Sequence, residues 1–273
     1  MSEADAVKNT NGSPATIQSL TDDLRGLGVS PGMTLLVHTS LSSLGWVCGG
    51  AVSVVLALEK AIGPEGTLVM PTHTGDLSEP SRWKNPPVPE HWWDLIRREM
   101  PAFDPDLTPT RGMGAVVECF RKQNGTLRSN HPTVSFAARG PKAKIITEDV
   151  QLDFPTGDDS PLGRMYGLDG WVLLLGTDFK CCTSLHLAEY RADYPGRKVI
   201  KCGSPVALDG ASRWVEFDDI EYDDSDFDVI GADFLGQPEQ NRKGRVASGT
   251  AVLMPMRSLV DYGVRWIEKN RGR

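Results

Sequence analysis

His186 and Glu189 stand three residues apart behind Trp171–Leu175, a run that is apolar at every position. Such a run suits a strand covered on both faces. Gly176 ends it, and Thr183 or Ser184 reads as the N-cap of a following helix. His186 then falls in the first helical turn, where the dipole disfavours imidazolium and leaves a ring nitrogen free as a base, and Glu189 lies on the same face. A lone histidine is more often packed or exposed than catalytic. The chemistry this one could do is proton abstraction from a nucleophile.

Cys181 and Cys182, just upstream, offer a rival: a thiol nucleophile with His186 as base. No recognised nucleophile motif surrounds them. A second cluster of polar groups follows the apolar stretch Met33–Val37 and runs from His38 through Thr39, Ser40, Ser42, Ser43 and Leu44 to Gly49 and Gly50. Gly50 precedes a helical pattern from Ala51 to Ile62, and Thr67–Met70 reads as the next strand, so the three pieces make a βαβ unit with parallel strands. The loop between strand and helix is an anion site in prospect, because free backbone N–H groups and the helix dipole meet there. An ordinary hydroxyl-rich loop is the plain alternative.

Five stretches in order, Val37–Gly50, Val69–Trp83, Leu127–Gly140, Asp158–Gly176 and Thr183–Glu189 (TSLHLAE), resemble the aminoglycoside 3-N-acetyltransferase family. With helical pieces near both ends they span about residues 14–270. The resemblance implies an acetyl-CoA-dependent acyltransferase that acetylates the 3-amino group of an aminoglycoside and thereby confers resistance. It implies His186 as base with Glu189 in support. It also places coenzyme A on His38, Thr39, Ser40, Ser42, Ser43, Leu44, Gly49 and Gly50, with further contacts from Arg128, Ser129, Ser160 and Gly163. Arg128 could fork onto a phosphate or form a surface ion pair, and Ser160 before Pro161 is equally a helix cap. Asp76 is a candidate for holding the cationic sugar, or else an Asx turn. The fold implied is α/β, a central mixed, partly parallel sheet flanked by helices. It is not the more common acetyltransferase fold signed by Arg/Gln-x-x-Gly-x-Gly/Ala, for which Arg111-Gly112-Met113-Gly114-Ala115-Val116 is a near miss.

Eight acids fall within the thirteen residues from Glu216 to Asp228. Such runs are usually solvated; on an extended segment, however, Asp219 and Glu221 would point the same way and could bind a protonated polyamine. A module that only captures polycations would explain these acids but leave His186 idle. The net charge of -7 fits a cationic small-molecule partner and disfavours nucleic acid. Five cysteines without a C-x-x-C pair fit reduced thiols, and no ligand motif, including His73 and His91, suggests a metal. No apolar run reaches membrane-spanning length and no secretory signal opens the chain, so a cytoplasmic monomer or homodimer is expected.

The positioning elements are a disordered tail over residues 1–12 and one domain over 13–273. Ser13-Pro14 opens a helix to Gly28, Pro71–Pro89 is a long ordered loop, and helices are expected at His91–Met100 and Gly112–Lys122. A strand at Val134–Ala138, short strands between Lys198 and Phe217, a strand at Val246–Met254 and a closing helix Met256–Lys269 complete the reading.

Overall fold

The computed structural model describes residues 3–10, 12–237 and 241–272. Helix α1 (Glu3–Lys8) occupies most of the tail expected to be disordered. Thr10 fastens it, donating from Oγ1 to the Ala6 carbonyl at 2.8 Å and accepting from the Trp46 amide at 2.7 Å. Residues 1, 2 and 11 of that expectation lie outside the described residues. Helix α2 (Ile17–Leu27) starts three residues later than the Ser13-Pro14 cap would put it. Ala15 is held extended by bonds to Trp46 and Cys48, and Thr16 caps the helix in a reciprocal capping box with Ser19.

Strand β1 (Thr34–Thr39), helix α3 (Gly50–Ile62) and strand β2 (Thr67–Pro71) form the expected parallel unit, with Leu35 opposite Leu68. Short helices α4 (Trp93–Glu99) and α5 (Ala115–Arg121) follow the long loop. Strands β3 (Leu127–Arg128) and β4 (Phe136–Arg139) then pair antiparallel on the outer side of β2. Helices α6 (Ala143–Thr147) and α7 (Pro161–Gly167) lead into β5 (Trp171–Leu175), which pairs parallel with β1 from the other side. Helix α8 (Ser184–Arg191) comes next. The expected short strands after it merge into one ten-residue hairpin, β6 (Val199–Leu208) and β7 (Ala211–Ile220), standing apart from the main sheet.

Helix α9 (Phe227–Leu235) emerges from the acidic run, where no helix was expected because alternate acids mask Phe227, Ile230 and Phe234, all fully buried. Strand β8 (Arg242–Val246) was not expected, β9 (Gly249–Pro255) covers most of the strand expected at Val246–Met254, and α10 (Met256–Asn270) closes the chain. The main sheet has the order β3-β4-β2-β1-β5-β9-β8, parallel at its centre and antiparallel at both flanks.

Two cores cover the faces of this sheet. Leu35, Val37, Leu173 and Leu175 meet α2, α3 and α5 on one side, while Leu36, Val172 and Leu174 meet α7, α8, α9 and α10 on the other. Side chains alternate along a strand. His38 therefore turns with Leu36 toward α8, and Thr39 turns with Val37 toward α3.

Candidate active site

Strands β1, β2 and β5 run parallel, so their carboxyl ends lie together, where open α/β sheets place their ligands. His38 is the next-to-last residue of β1, His73 follows β2, and His186 lies in the first turn of α8 after β5. Burial and the nearby His186 imidazole pull the His38 and His73 imidazoles down to about 3, so both are neutral.

His186 is 21% exposed, and its Nδ1 lies 2.6 Å from Glu189 Oε2. The Glu189 side chain has no exposure, and its Oε1 accepts from the Asp223 amide at 2.9 Å and from Arg271 Nη1 at 2.6 Å. A carboxylate on Nδ1 places the ring proton there and leaves Nε2 as the acceptor. Among the described residues Nε2 has no hydrogen-bond partner. The rings of Tyr222 and Phe227 stand 4.6 and 4.9 Å from the imidazole and fix its plane. Thr183 precedes the helix but does not cap it: its backbone is already helical, and its hydroxyl sits 3.4 Å from His38 Nε2.

A cleft of about 690 Å³ opens past the carboxyl ends of β1 and β5, lined by Thr39, Ser40, Ser42, Gly50, Thr177 and Cys181 among others; His186 and Glu189 are not among its lining residues. Gly112–Val116 line its opposite wall. The near-miss motif thus belongs to the site although its fold was rightly set aside; a glycine pair before a helix, as at Gly49-Gly50, was the signal. Gly49 and Gly114 both take left-handed φ, 80° and 85°, at the starts of α3 and α5. Thr39 Oγ1 is buried without a partner, an orphaned hydroxyl in the cleft wall.

The other expected cofactor contacts have different roles here. His38 is buried on the α8 side, for the strand-parity reason above, and Leu44 belongs to the core at 1% exposure. Ser43 donates to Ser40 Oγ at 3.0 Å, and Gly49 packs its Cα side onto Ser53. The Arg128 guanidinium is engaged by the Pro105, Thr108 and Thr72 carbonyls, which makes it a loop anchor instead of a phosphate ligand, and burial pulls its pKa down to about 10. Ser129 is buried and its Oγ accepts from the Phe136 amide, joining β3 to β4. Ser160 caps α7, with Oγ accepting from the Leu162 and Gly163 amides at 3.1 and 3.3 Å. A Cβ on Gly163 would lie 2.0 Å from the Asp158 carbonyl, so this glycine is there for packing.

The acceptor-side acids separate. Asp219 is 4% exposed; burial lifts its carboxyl to about 6, against hydrogen bonds from Tyr222 and the Ile220 amide that favour the charged form. Glu221 lies past the end of β7, is exposed, and sits 3.5 Å from Lys198 Nζ, so the two acids do not face one ligand. Asp76 pairs with Arg111 and lines a second groove of about 270 Å³ with Trp83, Lys84 and Asn85. Tyr222 and Arg271 were not singled out in the sequence, and no local pattern marks either.

Cys182 is fully buried and its thiol is pushed up to about 12 by burial, which disqualifies it as a nucleophile. Cys181 is exposed at the cleft. Among the described residues no three His, Cys, Asp or Glu side chains are placed to hold a metal, and no helix is long and apolar enough to cross a membrane.

The family model for aminoglycoside 3-N-acetyltransferase matches residues 36–268. The chain belongs to that family. It is 46% identical over 259 residues, 94% of each chain, to YokD of Bacillus subtilis strain 168, described as a prophage-derived aminoglycoside N(3')-acetyltransferase-like protein. The crystal structure of YokD superposes with a TM-score of 0.94 over 98% of both chains. Aminoglycoside N(3)-acetyltransferase VIII of Streptomyces fradiae is 37% identical across 100% of this chain and 98% of its own. The structure of AAC-IIIb with CoASH superposes with a TM-score of 0.85 at 31% identity, over 95% of this chain and 98% of that one. Family membership and the mixed sheet agree with the resemblance read in the sequence.

Proposed function

We propose that this protein transfers the acetyl group of acetyl-CoA to the 3-amino group of an aminoglycoside, by direct attack in a ternary complex. The observation that carries the reading is the buried Glu189 bonded to His186 Nδ1 at the start of the helix that follows β5, a strand whose carboxyl end also opens onto the glycine-rich cleft of about 690 Å³. Acetyl-CoA supplies a thioester whose carbonyl carbon receives the amine nitrogen while the thiolate departs. His186 Nε2 takes the proton released by that nitrogen and can return it to the departing sulfur. Glu189 stabilises the imidazolium formed in between. The unpartnered Thr39 hydroxyl is the candidate donor to the carbonyl oxygen as it gains charge. The cleft fits a long pantetheine arm, with the helix starts at Gly50 and Ala115 beside it. The general-base step accounts for roughly 10²–10⁴-fold, and alignment of amine and thioester for much of the rest.

The test is thiol release from acetyl-CoA with a panel of aminoglycosides and simple polyamines, the acetylated position being read by NMR. Turnover with aminoglycosides and a 3-N-acetyl product is expected. Equal turnover of simple polyamines, or acetylation at another amine, would remove the acceptor assignment.

A further inference from the structure

Arg271 follows the last turn of α10 and lies behind Glu189, on the side away from His186. Its Nη1 donates to Glu189 Oε1 at 2.6 Å, while Nε and Nη2 fork onto both oxygens of Asp226 at 2.7 and 2.6 Å. Nη2 also donates to the Asp223 carbonyl at 2.6 Å. The side chain is 9% exposed and stacks over Tyr194. Asp226 and Asp223 sit at the start of α9, so one guanidinium joins α8, α9 and α10 around the carboxylate that serves the histidine.

We propose that Arg271 is a positioning residue for acetyl transfer, fixing the Glu189 carboxylate in the orientation in which His186 keeps its proton on Nδ1 and offers Nε2 to the amine. The inference rests on the reading of His186 as base. A carboxylate with no exposure is costly when unpaired. A Glu189 side chain free to turn would no longer hold Oε2 on Nδ1, and the two tautomers would compete. The Asp223 amide is one neutral donor and does not match a fixed positive charge. The fork onto Asp226 would by itself suffice to pin α10 to α9. The Nη1 bond to Glu189 is the contact that reaches the chemistry.

Arg271→Gln should lower kcat on the order of 10–100-fold while leaving KM for acetyl-CoA unchanged, since the residue does not line the cleft. It should also weaken the far-downfield proton resonance of the Nδ1–H···Oε2 bond, assigned by its loss in His186→Asn. Arg271→Lys, which keeps the charge, should recover part of both. Asp226→Asn cuts the fork but keeps the Nη1 contact; it should lower the thermal midpoint yet leave kcat and the resonance close to wild type. A folded Arg271→Gln with wild-type kcat and resonance overturns the proposal. So does an Asp226→Asn that loses as much activity as Arg271→Gln, because the role would then be structural alone. If Arg271→Gln does not fold, Arg271→Lys against Asp226→Asn decides by the same two readouts. Full activity in His186→Ala would instead sink the base assignment, so the two failures are distinguishable.

Discussion

The Tyr222 hydroxyl donates a 2.7 Å hydrogen bond to Asp219 Oδ1, and the same phenol ring lies 4.6 Å from the His186 imidazole. The buried acid therefore reaches the dyad through an aromatic ring. Burial raises the Asp219 carboxyl from 3.8 to about 6, so the folded state holds a proton that the unfolded chain has released between those values. Stability from this group is present below pH 4 and is lost as pH rises through 6. Asp219→Asn keeps an acceptor for Tyr222 and the Ile220 amide but removes the buried charge. It should gain up to about 3 kcal/mol over wild type at pH 8 and almost nothing at pH 4, as read by denaturant unfolding. The same difference at both pH values would show that Asp219 is not the titrating group.

Loss of the base should separate chemistry from binding. His186→Ala is expected to cost on the order of 10²–10⁴ in kcat with little change in acetyl-CoA affinity by calorimetry. His131→Ala should act on stability instead, because its Nδ1 accepts from the Val134 amide and its Nε2 bonds the Leu152 carbonyl. Activity per folded molecule is the measurement, and near-normal turnover by His186→Ala is the outcome that would refute the assignment.

Gly50 offers a clean probe of the cleft. It takes φ 57° at the start of α3, and a Cβ there would meet nothing within 4 Å. Asparagine and aspartate impose the same backbone demand, yet only aspartate adds charge. Gly50→Asp should bind acetyl-CoA at least tenfold more weakly than Gly50→Asn, about 1.4 kcal/mol, if a diphosphate lies at this helix start. Equal affinities for the two variants would move the cofactor elsewhere.

Direct transfer requires no acyl-enzyme. Cys181→Ser should keep most of the activity, and Cys182→Ser should act through packing, the thiol being buried with a pKa near 12. Intact-mass spectrometry of enzyme quenched during turnover is the check. An acetyl adduct on Cys181 would favour a two-step mechanism.

What the sequence determined by itself was local and periodic. Trp171–Leu175 is continuously apolar and became the strand beside β1; the spacing of His186 and Glu189 put both on one face of α8, and their bond is the result. Ser160-Pro161 announced a helix start and is one. Tertiary structure decided everything that depends on long-range partners. Strand parity at β1 sent His38 inward and Thr39 to the cleft, because one residue of register exchanges the two faces. Arg128, isolated in the sequence, was drawn into loop carbonyls twenty or more residues away along the chain. Phe227, Ile230 and Phe234 could reveal α9 only once a core existed to bury them, their acidic neighbours having hidden the period. Arg271 meets Glu189 across 82 positions, and no local pattern can encode a charge pair closed by the packing of α8, α9 and α10.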